Sequence, residues 1–406
     1  MKTILKGLRV AEVSAYVAAP LCGLTLVQMG AEVIQISPIG GRMDSDRWPH
    51  SPVGKSLYWA ALNRGKRSIR IDLKQPVGRE LAARIMAGAP GDGGGIVLNN
   101  LPLKGPMAEE ALRERRPDLI LITLIGNPDG SPAIDYTVNS ASGLPYLTGE
   151  GDPPVNHAVP VWDLVAGLYL ATGLLAADRH RQHNGKGQTV TLSLFDAMLA
   201  SIGNLGFLSE AQLCETPRPA AGNQVYGAFG RDFELADGRR IMVAAISDKQ
   251  WEALLEATGL SAAMQRLRDE EGLDVDDEIG RYHARDQISA VLAPWFAAQS
   301  LAQVTQAFAG KGILWGPFRT LRQLLEEDPR CSLENPVLGP AQQAGIGRHL
   351  VPHLPLTFEG AIRGDVPSAP DLGEHSEAVL ADVLGLPSGE IGRLFDSGIV
   401  GGVEAG

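Results

Sequence analysis

LRVAEVSAYVAAPLCGLTLVQMGAEVIQI, residues 8–36, contains the alternation that decides the fold. Its two ends, 8–13 and 31–36, are apolar runs of strand length, and the stretch 18–30 between them is helix-like and ends in Gly30, a residue typical of helix C-termini. A strand, a helix and a second strand predict two parallel strands joined by a crossover helix. Further buried strands are predicted from similar runs at 68–73, 95–100 and 118–124. This pattern is typical of an open α/β domain.

Three segments make up the predicted domain organisation. Residues 1–213 form the N-terminal part of a large Rossmann-like domain, although no G-x-G-x-x-G follows the first strand, so a dinucleotide loop is not expected. Residues 214–330 form a linker and a smaller α+β domain, because FELADGRRIMVAAI (233–246) predicts a hairpin with Asp237-Gly238 at its tip. Residues 331–406 contain two short helical segments and no independent core, so we expect them to pack back onto the large domain.

Composition excludes several classes of protein. The net charge of −11 argues against general nucleic-acid binding. Three scattered cysteines fit a reducing cytoplasm rather than a disulfide framework or zinc site, and no metal site is predicted, with HRQH (180–183) as a weak exception. The first residues lack a signal-peptide pattern, and the uncharged run 164–177 is too short to span a bilayer, so we expect a cytoplasmic protein without a membrane partner.

Positive charge is concentrated in residues 40–75. This stretch carries eight Lys and Arg against three acids, an excess of five in an acidic protein. It predicts an anion site, and a solvated basic surface is the equally simple alternative.

One carboxylate, Asp163, stands at the head of an apolar run. VPVWDLVAGLYLATGLLAA (159–177) has no other charge, and a polar break (178–188) and a second helical run from 192 follow it. The simpler interpretation is that Asp163 caps the helix. The alternative is a carboxylate nucleophile, which a helix N-terminus would keep ionised at pH 7 and which apolar neighbours would shield from water.

Several motifs in a fixed order resemble one family over essentially the full length. They are KGLRVAEVSAYVAAP, GAEVIQI, LNRGKRSIRIDLK, TGEGDPP followed by WDLVAG, GKGQTVTLSLFDAML, GNQVYGAF, KGILWGPFRTLRQLLEEDP and APDLGEHSEAVLADVLGL. The chain resembles the class III coenzyme A-transferases, the family of formyl-CoA transferases and α-methylacyl-CoA racemases. The resemblance implies that Asp163 is the catalytic nucleophile, with coenzyme A (CoA) as part of the substrate and no permanently bound cofactor. It also implies a homodimer of two interlocked monomers, each with a large domain built from both termini and a small domain.

The resemblance also assigns candidate binding residues, each of which could instead be an ordinary surface or strand-end residue. Candidates for CoA contacts are Arg42, Lys66, Arg67, Lys74 and Lys104 at the phosphates or adenine, and Asn99 and Asn100 beside the pantetheine. Val17, Ala18 and Ala19 match the segment at the thioester end. Gly222-Asn223-Gln224 matches a flexible segment that covers the active site in relatives, and its alternative interpretation is a domain linker.

Two departures from the family pattern narrow the range of possible substrates and reactions. Val17 replaces a polar residue of formyl-CoA transferase-like members, and residues 126–136 lack the histidine expected of a racemase. IDYTVNSASGLPYLTG, which contains Tyr136, and PPVNHAVPVWDLVAGLYLA resemble a subgroup that moves CoA between the two carboxylates of mesaconate. Tyr136, Asn156 and His157 are therefore expected to bind substrate, the latter two through the free carboxylate of the acyl group. His157 could instead be a packing residue, and the roles of Glu12 and Asp135 stay open.

Three functions remain after these observations. The first is intramolecular CoA transfer between the two ends of a C5 unsaturated dicarboxylate. The second is intermolecular transfer to a free carboxylic acid such as succinate. The third is a CoA-binding or assembly protein without catalytic activity.

Overall fold

A computed structural model describes residues 4–361 and 363–403 of the protein. Its strands are β1 (Arg9–Val13), β2 (Glu32–Pro38), β3 (Arg67–Ile71), β4 (Ile96–Asn99), β5 (Ile120–Ile125), β6 (Thr189–Ser193), β7 (Phe229–Glu234), β8 (Arg240–Ala245), β9 (Leu314–Pro317), β10 (Leu338–Gln343), β11 (Gly347–Pro352) and β12 (Val400–Gly401). The five strands predicted in the first half of the chain are confirmed as β1 to β5, with ends shifted by at most two residues.

The helices are α1 (Ala18–Met29), α2 (Leu57–Leu62), α3 (Pro76–Ala87), α4 (Glu109–Arg115), α5 (Asp135–Ala141), α6 (Val161–Asn184), α7 (Leu194–Asn204), α8 (Phe207–Leu213), α9 (Asp248–Thr258), α10 (Ser261–Glu271), α11 (Glu278–His283), α12 (Arg285–Ala297), α13 (Leu301–Phe308), α14 (Leu321–Glu327), α15 (Ser376–Leu384) and α16 (Ser388–Asp396). The two short C-terminal helices expected from the sequence are α15 and α16.

The central sheet has seven strands in the order β12-β3-β2-β1-β4-β5-β6. Strands β1 to β6 are parallel, and β12 pairs antiparallel with β3. Without its edge strand, this is the 3-2-1-4-5-6 order of the Rossmann fold. The connections leave β1 and β4 in opposite directions, so a crevice opens beyond the carboxyl ends of these two strands, where such sheets bind ligands.

Strand β6 was not predicted, and the reason lies in its burial. The sequence analysis placed a helical run from residue 192, but Thr189–Ser193 forms an edge strand and α7 begins only at Leu194. The side chains of β6 are mostly half-exposed or exposed, so it lacks the continuous apolar run that marked the buried strands.

Helix α6 is longer than predicted, because it continues through part of the expected polar break to Asn184. Over this length, unlike the shorter run 164–177, it is apolar enough to cross a membrane by length and composition alone. In the structure it packs against α1 and buries Ala166, Leu170 and Leu174. The approach is close at Gly167, where a Cβ atom would lie 2.8 Å from the carbonyl oxygen of Ala18.

The described residues divide into two compact units. The first comprises 4–142, 157–210, 329–361 and 363–403, and the second comprises Gly143–Asn156 and Ala211–Asp328. The second unit contains the antiparallel sheet β7-β8-β9, in which β7 and β8 form the predicted hairpin. Its helices pack on an apolar core that includes Phe229, Trp251 and Phe296. Residues 143–156, which the sequence analysis assigned to the large domain, group with this second unit. The predicted domain bounds otherwise stay a prediction.

Candidate active site

A cavity of about 560 Å³ lies in the first unit, beyond the carboxyl ends of β1, β4 and β5. We call it the Asp163 cavity. It is lined by the β1–α1 turn, the ends of β4 and β5, the first residues of α5 and α6, and part of the segment 47–58. Four residues predicted for the site, Val17, Ala18, Asn100 and Tyr136, line it together with Asp163.

The start of α6 corrects the interpretation of Asp163 as a helix cap. Pro160 is the N-cap residue and makes no side-chain hydrogen bond, and Asp163 is the third residue of the helix. The free N–H groups of Trp162 and Asp163 instead donate to one oxygen of Asp135, at 2.7 and 3.1 Å. A residue 28 positions upstream therefore caps α6, and the Asp163 side chain is left for another role.

Among the described residues, no group donates a hydrogen bond to the Asp163 carboxylate. Burial raises the pKa of this carboxyl to about 7, the charge of Asp135 adds to the increase, and the charge of Arg47 opposes it. The helix end therefore gives an ionised Asp163 less stabilisation than the sequence analysis expected. Asp135 already accepts the N–H groups that would have stabilised the charge, so burial is left to raise the pKa of Asp163.

His157 is part of the support for this helix end. Its Nε2 lies 2.5 Å from the second oxygen of Asp135, whose side chain is almost fully buried. The His157 ring also packs edge-on against Tyr136, with 5.8 Å between ring centroids. The indole of Trp162 donates to Asn139 at 3.0 Å. The contacts of His157 with Asp135 and Tyr136 are those expected if it is a packing residue. Its predicted contact with substrate stays a prediction.

Asn100 shapes the turn at the opposite wall of the cavity. Its side-chain amide accepts from the N–H of Ala15 at 2.9 Å and donates to the Ala15 carbonyl at 2.8 Å. Tyr16, which follows Ala15 in the chain, has a positive φ of 70°, which is rare for a non-glycine residue. The backbone N–H of Tyr16 donates a hydrogen bond to Asp44. These contacts direct Val17, Ala18 and the N-terminus of α1 towards the cavity. Asn99 is turned to the sheet, where it contacts Thr123 and Leu101.

Three of the basic residues predicted to contact CoA are engaged in ion pairs. Lys66 is buried with its ammonium 2.9 Å from both oxygens of Glu12. Arg42 makes a two-fold contact with Asp44, and Arg67 contacts Glu32 and Asp382. Each guanidinium or ammonium group here already has a carboxylate partner, so the structure places these three residues in supporting positions.

Lys74 and Lys104 are exposed and share a neighbour that the sequence analysis missed. Arg79 donates to the carbonyl oxygen of Lys74 at 2.8 Å. Its Nε also lies 3.8 Å from the position that a Cβ on Gly105 would occupy. Lys74, Arg79 and Lys104 thus lie on neighbouring segments beyond the carboxyl ends of β3 and β4, and we call these three residues the basic cluster.

Asn156, Gly222 and Asn223 belong to the second unit. The N–H of Gly222 donates to the carbonyl of Gly149 at 2.8 Å, and the Asn223 side chain hydrogen-bonds to Asp232. Their predicted contacts with substrate stay predictions.

Arg47, Trp48 and Tyr58 are among the cavity-lining residues that the sequence analysis did not assign to the site. Arg47 was counted among eight basic residues, and a count does not separate a cation that faces a cavity from one in an ion pair. The Tyr58 hydroxyl is buried without a hydrogen-bond partner in the described chain, and burial strongly raises its pKa. No sequence pattern marks these positions.

Comparison with known proteins now decides the family. The model of CoA-transferase family III matches residues 5–376. This chain belongs to CoA-transferase family III. It is therefore an enzyme of CoA transfer, and the predicted family is confirmed.

Among its relatives is a 2-methylfumaryl-CoA isomerase from Chloroflexus aurantiacus, 49% identical over 407 residues that cover 100% of this chain and 99% of the relative. A succinyl-CoA–D-citramalate CoA-transferase of the same organism is 28% identical over 96% of both chains. The crystal structure of a CaiB/BaiF family protein from Brucella suis superimposes with a TM-score of 0.77 at 26% identity, covering 94% of this chain and 100% of that one. The fold of this family III enzyme is thus shared with a solved CaiB/BaiF protein.

Proposed function

We propose that the enzyme moves CoA between the C1 and C4 carboxylates of 2-methylfumaryl-CoA (mesaconyl-CoA), with Asp163 as the nucleophile. The observation that carries this proposal is a half-buried carboxylate without a hydrogen-bond donor in the described chain, in a cavity at the ligand-binding edge of the sheet. The 2-methylfumaryl-CoA isomerase activity named for a relative at 49% identity supports the substrate.

In the first half of the proposed reaction, an Asp163 oxygen attacks the C1 thioester carbonyl. The C–S bond breaks, and a mixed anhydride and the CoA thiolate form. The thiolate then attacks the aspartyl carbonyl, which breaks the anhydride and leaves an aspartyl-CoA thioester and the free dicarboxylate.

The second half runs the same steps from the other end of the dicarboxylate. Its C4 carboxylate attacks the aspartyl thioester, forms a new mixed anhydride and releases the thiolate again. The thiolate attacks the C4 acyl carbon, so that the C4 thioester forms and Asp163 is regenerated. Each step exchanges one activated acyl group for another, so no oxidant, metal or permanently bound cofactor is needed.

Two features of the cavity would support this chemistry. The first-turn N–H groups of a helix have no partner within it, so those of α1 near Val17 and Ala18 are suited to stabilise the oxyanion at the attacked carbonyl. The apolar side chains of Leu101, Leu124 and Leu194 in the lining would limit hydrolysis of the anhydride.

The basic cluster of Lys74, Arg79 and Lys104 is our candidate for the CoA phosphates. Lys74 and Lys104 are exposed, and the cluster lies beyond the same edge of the sheet as the cavity. Asn100, in the cavity wall, is placed to contact the pantetheine. Replacing Lys74 and Lys104 together by Gln should weaken CoA binding without changing the isomer equilibrium.

The proposal is tested with 2-methylfumaryl-CoA and labelled free 2-methylfumarate in one incubation. We expect the C1 and C4 thioesters to interconvert while the product CoA esters stay almost unlabelled. Extensive uptake of label would contradict the intramolecular route. It would instead favour intermolecular transfer to a free acid, the second candidate function, which is supported by the activity named for the relative at 28% identity.

Trapping tests the covalent step by itself. Hydroxylamine added with acyl-CoA should convert Asp163 to a hydroxamate that peptide mass spectrometry locates. An unmodified Asp163 under turnover would contradict its role as nucleophile and leave a CoA-binding protein without this chemistry as the alternative.

We also propose that the enzyme works in the cytoplasm as a homodimer, with interlocked monomers. Apolar side chains on α6, Leu168 and Tyr169, are 53% and 45% exposed in the single chain, which supports a subunit contact there. Light scattering should give twice the mass of 43.1 kDa, and Leu168→Glu should shift the mass towards that of one chain.

A further inference from the structure

The proposed function creates a specific problem for the site. Midway through the reaction the dicarboxylate has no covalent bond to the enzyme or to CoA, and it must turn end for end without leaving. Such a dianion requires a cation that can hold whichever carboxylate is not reacting. The following inference rests on the proposed function and names that cation.

Arg47 is the one Lys or Arg among the described residues that line the Asp163 cavity. Its guanidinium carbon lies 5.6 Å from the ring centroid of Tyr16 and 5.4 Å from that of Tyr58. No carboxylate or carbonyl oxygen in the described chain accepts a hydrogen bond from this guanidinium. Two aromatic rings thus orient a cation whose donors are available to a ligand.

Arg42, five positions earlier, provides the contrast. Its guanidinium makes two hydrogen bonds to Asp44, at 2.8 and 2.7 Å, and its side chain is 4% exposed. An arginine that is paired and buried in this way contributes to the structure and is not exposed to a substrate. Arg47 therefore differs from its neighbour in both partners and position.

We propose that Arg47 binds the free carboxylate of the dicarboxylic acyl group and retains the released dicarboxylate while CoA changes ends. A guanidinium binds a carboxylate through two parallel hydrogen bonds, which fixes direction as well as charge. The double bond of 2-methylfumarate keeps its two carboxylates on opposite ends. When one end is at Asp163 the other therefore points away, and one cation serves both halves of the reaction.

Arg47 also acts on Asp163 through its charge. The positive charge of Arg47 lowers the pKa of Asp163 against the effects of burial and Asp135. Loss of Arg47 would therefore leave Asp163 more protonated at pH 7, for every acyl-CoA alike. An experiment on substrate binding must separate this general effect from recognition of the second carboxylate.

The test compares the wild type with Arg47→Gln and Arg47→Lys at pH 9. Each protein is assayed with 2-methylfumaryl-CoA, a dicarboxylic acyl-CoA, and with crotonyl-CoA, a monocarboxylic one. At this pH Asp163 is ionised in the wild type, so the effect of its pKa is small. For crotonyl-CoA the readout is hydroxamate formation at Asp163, and for 2-methylfumaryl-CoA it is kcat/KM of isomerisation. Arg179→Gln, which removes an exposed charge on α6, is the matched control.

We expect Arg47→Gln to lose about 10- to 100-fold with the dicarboxylic substrate and less than about threefold with crotonyl-CoA, as for loss of a charged hydrogen bond. The activity of Arg47→Lys with the dicarboxylic substrate should lie between those of the wild type and Arg47→Gln, and Arg179→Gln should match the wild type. Arg47→Gln should also take up more labelled free 2-methylfumarate per turnover, because the dicarboxylate escapes. An equal loss on both substrates, or no loss on either, would overturn the assignment.

Failure of the proposed function gives a different pattern. If Asp163 is not the nucleophile, no hydroxamate forms in the wild type. The affinities of the two acyl-CoA compounds, measured by calorimetry on wild type and Arg47→Gln, then decide the role of Arg47. A drop in affinity confined to the dicarboxylic compound supports it, and an equal change for both compounds contradicts it.

Discussion

Two carboxylates in the same unit, the fully buried Glu12 and the half-buried Asp163, have opposite surroundings. Glu12 on β1 lies against Lys66, which also donates to the carbonyl of Pro20 and to Asn63, and the side chains of both Glu12 and Lys66 are fully buried. Asp163 on α6 faces a cavity, and in the described chain nothing donates to its oxygens. The Glu12 carboxylate pairs with a buried cation and accepts a hydrogen bond from Ser14, although its Oε2 has no hydrogen-bond partner in the described chain. The Asp163 carboxylate has neither an ion pair nor a hydrogen-bond donor among the described residues.

The difference separates a structural charge from a reactive one. A buried ion pair with further hydrogen bonds compensates much of its loss of hydration, and it has no free lone pair directed at a ligand. The pair is packed closely enough that a Cβ on Gly23 would lie 2.0 Å from a Glu12 oxygen. An uncompensated carboxylate has a raised pKa and stays nucleophilic once ionised, which is the state that acyl transfer requires.

The largest effect should come from removing the unpaired carboxylate. We expect Asp163→Ala to fold and to bind CoA but to lose turnover by roughly four or more orders of magnitude, because the covalent route is removed. Steady-state kinetics with 2-methylfumaryl-CoA measure this, and calorimetric titration with CoA checks the site. Substantial activity in the Asp163→Ala variant would contradict the proposed mechanism.

Breaking the structural pair should affect stability instead of chemistry. We expect Glu12→Gln to cost about 3–5 kcal/mol, because Lys66 would stay buried without its counter-charge, and burial already lowers the pKa of this lysine. Urea unfolding measures the loss. The double variant Glu12→Gln with Lys66→Met should recover much of it, and a double variant that loses the sum of both single changes would contradict the pairing.

Much of the fold followed from the sequence, because buried parallel strands are continuous apolar runs. Strands β1 to β5 were predicted in this way, whereas the half-exposed β6 was not. The nucleophile candidate stood out because an acid beside a long apolar helix is unusual. Its cap could not be predicted, since Asp135 reaches the helix end only through the tertiary fold.

The basic residues also show what the sequence alone cannot predict about the site. Arg42, Arg47 and Lys66 look alike in a charge count, but the partners that distinguish them are contributed by other parts of the fold. Ion pairing is a property of three-dimensional proximity. The sequence therefore indicated an anion site and a nucleophile but could not tell which cations were already paired.

The raised pKa of Asp163 predicts the pH dependence of the reaction. The attacking form is the carboxylate, so kcat/KM should be constant above about pH 7 and fall about tenfold per pH unit below it. Initial rates between pH 5 and 9 measure the profile, with circular dichroism as a check on folding. A profile that stays flat down to pH 5 would show that Asp163 titrates as an ordinary aspartate.

The smallest expected effect is on the stability of the folded protein, where replacing Asp163 should act in the opposite direction to replacing Glu12. The pKa of Asp163 is about 7 in the folded protein against 3.8 for an ordinary aspartate, so the carboxyl destabilises the fold increasingly as pH rises from 3.8 to 7. A shift of this size corresponds to at most about 4 kcal/mol, and we expect Asp163→Asn to stabilise the protein by about 1–3 kcal/mol at pH 8.

This gain should be complete above pH 7 and vanish near pH 4, where the carboxyl is protonated in both the folded and unfolded states. Urea unfolding of both proteins at pH 8 and pH 4 measures it. Asp135→Asn is the matched control on the same helix end, and it should lose stability at pH 8 because the buried cap accepts two N–H groups. If Asp163→Asn were as destabilising as Glu12→Gln, the two carboxylates would have the same structural role, and the distinction between them would fail.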